Sequence, residues 1–431
     1  MPGTFSKECV MTELRPSDFA AIIGIDWADK THAICLKIPG LDTCEIAELA
    51  HTPEAIDDWA CALKERFPNG TIAVALEQKK GPLLYALLKY DHLVLYPVHP
   101  MTAAKYRQTW APSRAKDDPT DAQFLLELLE RHHDRLHAWT PQSKSIRQLG
   151  QLVEMRRRLV GDKVRITNRL TAALKNYYPL VLGLFDQKDT IIFCDFLDTW
   201  PSLKQAKHAR QDTLIRFFKA HNAQYETTNR DRIDRIKKAT ALTCDEGVIM
   251  PNRLLAGALV AQLRTTILSI QTFDQNIQEL YEEHADAPIF DSLPGAAKTY
   301  APRLLAAFGE DRDRYQCADE ILQYAGIAPV IERSGQKCWT HWRYSCPKFL
   351  RQSFVEWAGQ SIRFSFWASA YYQMQKERGK SHQVAIRALA FKWIRILFRC
   401  WKNRTPYDES VYLKALQKRR SPLLENIAGN P

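Results

Sequence analysis

The sequence predicts an α/β domain at the start of the chain and a largely helical remainder. Five short apolar runs bounded by turn residues fall between residues 21 and 98, the pattern of strands in a sheet. From about residue 141 apolar residues recur at three-to-four spacing, the period of helices packed on one face. With 431 residues, 45% of them hydrophobic, the chain is too apolar for disorder and too long for one core. The expected divisions are a tail (1–20), an α/β domain (21–140), a helical, coiled-coil-like arm (141–285), a mainly α C-terminal domain (286–410) and a basic tail (411–431).

AIIGIDW (21–27), THAICLKI (31–38) and CEIAELA (44–50) follow one another with only turn residues between them. PEAIDDWACALKERF (53–67) reads as a helix, TIAVALE (71–77) as the fourth strand, PLLYALLKY (82–90) as a second helix and HLVLYPV (92–98) as the fifth strand. Three successive strands followed by strand–helix alternation make a mixed sheet. DPTDAQFLLELLE (118–130) opens on Asp118, Pro119 and Asp121, the grammar of a helix start. In the arm, Leu149, Val153, Val160, Val164, Leu170, Leu174 and Tyr178 mark one long helix. Leu255, Leu259, Leu263, Ile267, Ile270, Ile277 and Tyr281 mark another near 252–283, with weakly patterned, Asp/Lys-rich sequence between the two. That pair reads either as an oligomerising arm or as two ordinary helices of a bundle. Beyond Asp286 the sequence predicts a turn and helix at 291–309, a helix at 316–328, a loop or hairpin at 331–342, helices at 347–374 and 380–402, and a frayed basic end.

The formal charge is +11, informative only where it is clustered. Residues 141–180 carry +7 and residues 331–420 carry +14, whereas 1–140 carry −5, 181–330 carry −4 and the last eleven −1. Two blocks hold all of the surplus. The ten cysteines form no C-x-x-C pair or zinc-ligand cluster, which fits a reducing, cytosolic setting. Lys7, Glu8, Glu13, Arg15 and Asp18 break any leader-like apolar run, and no stretch reaches the length of a membrane span. A chain without a membrane partner is expected.

Asp26 closes the first strand, Glu77 the fourth, and Asp118 and Asp121 open a helix after the fifth. Such carboxylates can converge at the carboxyl edge of a sheet, and four hard oxygen donors suit one or two Mg²⁺ ions in phosphoryl transfer. Taken singly, Asp118 and Asp121 are helix caps and Asp26 or Glu77 a solvated turn residue. The set carries the metal reading.

GIDWADKTH, the Glu in ALEQ and KDDPTDA resemble the ribonuclease-H-like (RuvC-like) domain of the DEDD insertion-sequence transposases, a group related to the Piv DNA invertases. The resemblance implies that Asp26, Glu77, Asp118 and Asp121 are both catalytic and Mg²⁺-binding, and that Lys116 is the basic residue before the last pair. Gln78-Lys79-Lys80-Gly81 departs from the small residues usual after the Glu. The actin-like sugar-kinase start is set aside, because Trp27-Ala28-Asp29-Lys30 replaces its phosphate loop.

SLPG (292–295), QYAGIAP (323–329) and Glu332-Arg333-Ser334-Gly335 are similar to the same family's C-terminal transposase domain. There a serine before a glycine attacks DNA, which implies Ser334. A serine needs a base or charge neutralisation to act. No Ser-His-Asp pattern surrounds it, so activation is expected from the metal-bound carboxylates, brought alongside by this subunit or another. Arg333, Lys337, Arg343 and Lys348 can neutralise a phosphate. Lys392, Arg395, Arg399 and Lys402 form a basic stripe on one helix, and Trp339, Trp342, Trp357, Phe364, Phe366 and Trp367 are either core or stacking surface. The resemblance also implies donor and target double-stranded DNA, a structured non-coding (bridge) RNA as guide, a dimer to tetramer, and a cytoplasmic, nucleoid-associated setting in a bacterium or archaeon. The +7 block 141–180, with Arg156, Arg157, Arg158 and Arg165, and the surface of the sheet domain are then the expected contacts for RNA backbone. The rival readings are a metal-dependent junction nuclease with water as nucleophile and a non-catalytic nucleic-acid scaffold.

Overall fold

The computed structural model describes residues 15–77, 81–110, 118–223, 225–421 and 423, in two compact units that divide between Pro141 and Gln142. Lys116, Lys79 and Lys80 lie outside the described residues.

In the first unit, β1 (Ala21–Asp26), β2 (Thr31–Lys37), β3 (Cys44–Ala50), β4 (Ile72–Leu76) and β5 (Leu93–Pro97) form one sheet of order β3-β2-β1-β4-β5. β2 pairs antiparallel with β1 and β3, and β4 pairs parallel with β1 and β5. All five strands fall where the sequence places them. α1 (Pro53–Arg66) and α2 (Pro82–Leu87) cover one face, with Ile23, Ile25, Val74 and Leu76 beneath them. α4 (Asp118–His132) covers the other, packing Leu125, Leu126 and Leu129 on Ile22, Ala73 and Ala75. Side chains alternate along a strand, so Asp26 and Glu77 fall in the α4-facing register of Ile22 and of Ala73 and Ala75. The sequence reading missed α3 (Pro100–Trp110), which carries small residues instead of an amphipathic stripe.

Gly24 sets the approach of α4 to β1. A Cβ there would lie 2.0 Å from Ala122 O and 2.6 Å from Leu126 N, backbone atoms that cannot swing aside. Gly24→Ala is therefore expected to destabilise by about 3 kcal/mol and to push α4, with its acids, off the strand end. Urea denaturation checks this; a loss below about 0.5 kcal/mol contradicts it.

In the second unit, α5 (Lys144–Tyr177) and α10 (Glu246–Glu282) form a long antiparallel pair. Arg156 meets Asp274 near one end and Asn176 meets Asn252 near the other. The stretch between them is folded, contrary to the weak pattern read there. α6 (Ile191–Thr199), α7 (Leu203–His208), α8 (Gln211–Ala220) and α9 (Glu226–Lys238) enclose Phe185, Phe193, Phe196, Trp200 and Phe218 against Leu170, Leu174, Leu259 and Leu263. Val164 and Leu255, expected on the apolar sides, are exposed. By length and composition α10 could cross a membrane, which corrects the expectation that no stretch reaches that length. Its Leu259, Val260, Leu263 and Ile267 are packed inside this core.

The rest of the unit has a second core. It comprises α11 (Ala287–Asp291), α12 (Ala297–Phe308), α13 (Ala318–Tyr324), the hairpin β6 (Val330–Ser334) and β7 (Lys337–His341), α14 (Lys348–Ser361), α15 (Phe366–Glu377), α16 (His382–Lys402) and α17 (Glu409–Lys418). The single helix expected at 347–374 breaks at 362–365. Residues 409–418, expected as frayed tail, are helical and bury Leu416. Trp357, Trp367, Trp393 and Trp401 fill the core, and each indole N–H donates to a partner: Pro294 O, Tyr407 OH, Ser361 Oγ and Gly309 O, as buried indoles require. Trp339, Phe364 and Phe366 are exposed and Trp342 is half-buried.

Candidate active site

The end of β1, the end of β4 and the first turn of α4 meet at one cavity of 340 Å³. Asp26, Glu77 and Asp121 line it, together with Trp27, Ala103, Ala104 and Arg107. One carboxylate oxygen from each of Asp26, Asp118 and Asp121 lies within 4.8 Å of the others. Asp26 and Asp121 are each only 9% exposed, while Asp118 faces solvent. Three acids so close repel one another unless a cation sits among them. Arg107 is one such cation. Its Nη1 donates to Asp121 Oδ2 at 2.7 Å and Oδ1 at 2.9 Å, and this bond, with the charges of Asp121, Glu77 and Asp26, holds the guanidinium above its usual pKa. Among the described residues the donor set is all carboxylate, and so fits a hard dication such as Mg²⁺ or Mn²⁺.

Sequence reasoning missed two residues of this cavity. Arg107 stands on α3, where the only signal was Pro100 opening a helix with Ala103, Ala104 and Arg107 on one side. Trp27 lines the cavity, and among the described residues its buried Nε1–H has no acceptor, unlike the four core indoles. Arg107→Ala strips the partner from the nearly buried Asp121 carboxylate. A loss of about 2 kcal/mol is expected for this partly screened pair, read as a lower melting temperature; an unchanged one contradicts it.

The turn after Asp26 is held from behind by His32. Ala28 N donates to His32 Nδ1 at 3.2 Å, which leaves the proton on Nε2, 2.9 Å from His51 Nδ1. Burial, with His51 adding to it, lowers the His32 pKa to about 4. The unfolded chain then binds this proton near pH 6.5 and the folded one only near 4. Stability is full above 6.5 and falls by about 3 kcal/mol as pH drops toward 4. Denaturation at pH 7.5 and 5 checks this, with His32→Asn expected to flatten the difference.

The other candidates lie in the second unit. Ser334 and Lys337 face each other across the hairpin turn, whose Gly335 has φ +58°, the first central position of a type II′ turn. Arg333, Ser334, Lys337 and Lys348 are exposed. Ser334, Lys337, Glu332 and His341 share a hairpin face by register, and His341 Nε2 lies 2.8 Å from Glu332 Oε1, which raises the His341 pKa. Many of the remaining cations are engaged within the chain. Arg156 pairs with Asp274, Arg158 with Glu154 and Arg165 with Asp162. Arg157 lies over Phe349. On α16, Arg395 pairs with Asp319, Lys402 donates to Arg312 O, and Lys392 lies over the Tyr371 ring, while Arg399 is exposed.

A family model described as Transposase, of the DEDD type of insertion element IS110, matches residues 23–179. A second, Transposase IS116/IS110/IS902 family, matches residues 287–373. The chain belongs to the DEDD insertion-sequence transposases. It is similar to the "Mini-circle putative transposase for IS117" of Streptomyces coelicolor, 28% identical over 94% of this chain and 98% of that one. It is also 27% identical to the 42 kDa insertion element IS900 protein of Mycobacterium paratuberculosis, over 84% of this chain and 91% of the relative. The 43.6 kDa protein of insertion element IS110, also from S. coelicolor, is 24% identical over 70% and 74%. The transposase is thus an enzyme of DNA, and its first family match spans Asp26, Glu77, Asp118 and Asp121.

Proposed function

We propose that this transposase cuts and rejoins DNA through a phosphoserine link on Ser334, with Asp26, Glu77, Asp118 and Asp121 as the Mg²⁺ site. The observation that carries the reading is the approach of Asp26, Asp118 and Asp121 to within 4.8 Å of one another, beside a cavity lined by Asp26, Glu77 and Asp121. The sheet order β3-β2-β1-β4-β5 with β2 antiparallel supports a ribonuclease-H-like domain. The exposed hairpin tip supports Ser334, which can reach a duplex there without distortion of the core.

In this reading the Ser334 hydroxyl gives up its proton as Oγ bonds to phosphorus. The bond from phosphorus to a deoxyribose oxygen breaks, and that oxygen leaves with a proton. Attack by a deoxyribose hydroxyl on the phosphoserine reverses the step and joins a new strand. Bound Mg²⁺ supplies charge neutralisation at the phosphate. Asp26 and Asp121, fixed on β1 and α4, hold the donor oxygens in place, and Arg107 restrains Asp121.

Donor and target duplexes are the substrates, a structured non-coding RNA supplies sequence reading by base pairing, and the enzyme acts as a dimer to tetramer in the cytoplasm, on nucleoid DNA. The test is strand exchange between two duplexes with the RNA transcribed from the element's flank. Exchange requires RNA and Mg²⁺ and stops on chelation; exchange in chelator without RNA contradicts the reading.

A further inference from the structure

Two half-buried arginines of the C-terminal core face carboxylates, Arg303 with Glu356 and Arg312 with Asp286, although each also buries one nitrogen without an acceptor among the described residues, and Arg314 lies over its neighbour Tyr315. Arg343, Arg351 and Arg387 differ. Among the described residues none of the three has an ion pair. All are half-buried, and the Nε atoms of Arg343 and Arg387 are buried with no acceptor. Arg351 and Arg387 both lie over the Trp342 ring, and Arg351 also donates to Arg343 O at 3.1 Å. Burial and the neighbouring Arg351 lower the Arg387 pKa. Like charges packed on one indole are unfavourable in the free protein, and an oxyanion bound on the solvent-facing side of these half-buried side chains relieves that repulsion.

We propose that Arg343, Arg351 and Arg387, braced on Trp342, form a binding site for a phosphodiester of the DNA backbone. The indole fixes two guanidinium planes, and their forks match phosphate oxygens. Position selects DNA. Trp342 and Arg343 directly follow β7, so the site stands at the root of the hairpin that carries Ser334, and it would hold the duplex while the tip reaches its phosphate. This assignment rests on the reading of that hairpin as the DNA-attacking element.

The test uses the full chain with Ser334→Ala, which separates binding from covalent chemistry. Affinity for a fluorescent duplex is measured by anisotropy between about 50 and 200 mM KCl. Arg351→Met and Arg387→Met keep the aliphatic bulk and remove the charge. Arg230→Gln, at a surface arginine paired with Glu226, is the charge control. Each Met variant is expected to weaken binding about tenfold and to flatten the slope of log affinity against log salt by about 0.9, with the control unchanged. Arg351→Lys and Arg387→Lys should restore the slope with only part of the affinity, and they decide the matter if the Met variants melt early. Inorganic phosphate should raise the melting temperature of the parent more than that of Arg387→Met.

Slopes equal to the control's in natively melting variants overturn the site. Loss for a structured RNA of equal length with duplex binding intact overturns the DNA assignment. Failure of the Ser334 reading would show separately, as a covalent DNA adduct formed by the Ser334→Ala parent itself.

Discussion

Asp26→Asn abolishes DNA cleavage, by about a thousandfold or more, while duplex affinity stays within about twofold. Asn matches Asp in size, and Asp26 stands at the end of a strand whose core contacts lie at Ile22, Ile23 and Ile25, so the fold is retained. What changes is the charge. One of three carboxylates within 4.8 Å of one another becomes a neutral amide, and the remaining donors hold a dication far more weakly. The loss should be partly recovered at high Mn²⁺ concentration, and Mn²⁺ affinity measured on the protein alone should fall in parallel. Cleavage at the wild-type rate would remove Asp26 from the chemistry, and an unchanged Mn²⁺ affinity would remove it from the metal site. The alternative of a decayed site predicts no divalent-ion dependence in either protein.

Ser334→Ala has the second large effect. The residue is exposed at the end of β6, and among the described residues no side chain hydrogen-bonds it, so loss of the hydroxyl leaves melting temperature unchanged. Strand exchange is expected to fall by about a thousandfold or more, and the protein–DNA adduct seen on denaturing gels disappears. Ser334→Cys keeps a nucleophile in place and is expected to retain adduct formation at a reduced rate. A hydrolytic nuclease gives the opposite pattern: Ser334→Ala still nicks DNA, and no adduct forms in either protein. Because the substitution removes none of the cavity's carboxylates and none of the arginines around Trp342, Mn²⁺ and duplex affinity serve as internal controls.

Strand positions were legible because each apolar run ends on a turn residue, and β1 to β5 match the runs read from Ala21, Thr31, Cys44, Thr71 and His92 to within a few residues. That Asp26, Asp118 and Asp121 lie close together was legible from a strand end and a helix start placed at one sheet edge. Their cation was not. Arg107 reaches Asp121 from a helix fourteen residues earlier in the chain, and nothing local ties the two. The four helices between α5 and α10 escaped notice because they are short and bury clustered aromatics, such as Phe193, Phe196 and Trp200, instead of a regular stripe. Charge counting located the basic blocks but not which cations have partners. Arg156 and Arg158 proved paired, whereas Arg351 and Arg387, never singled out, were left to share one indole.

The central claim, a phosphoserine intermediate on Ser334, is tested most directly by mass spectrometry of the DNA-linked peptide. The reaction is quenched in denaturant, the DNA is trimmed with nuclease and the protein is digested. A nucleotide phosphate is expected on the peptide containing Ser334, requiring Mg²⁺ and absent from Asp26→Asn. A nucleotide on any other residue, or efficient strand exchange with no DNA-linked peptide at all, would contradict it.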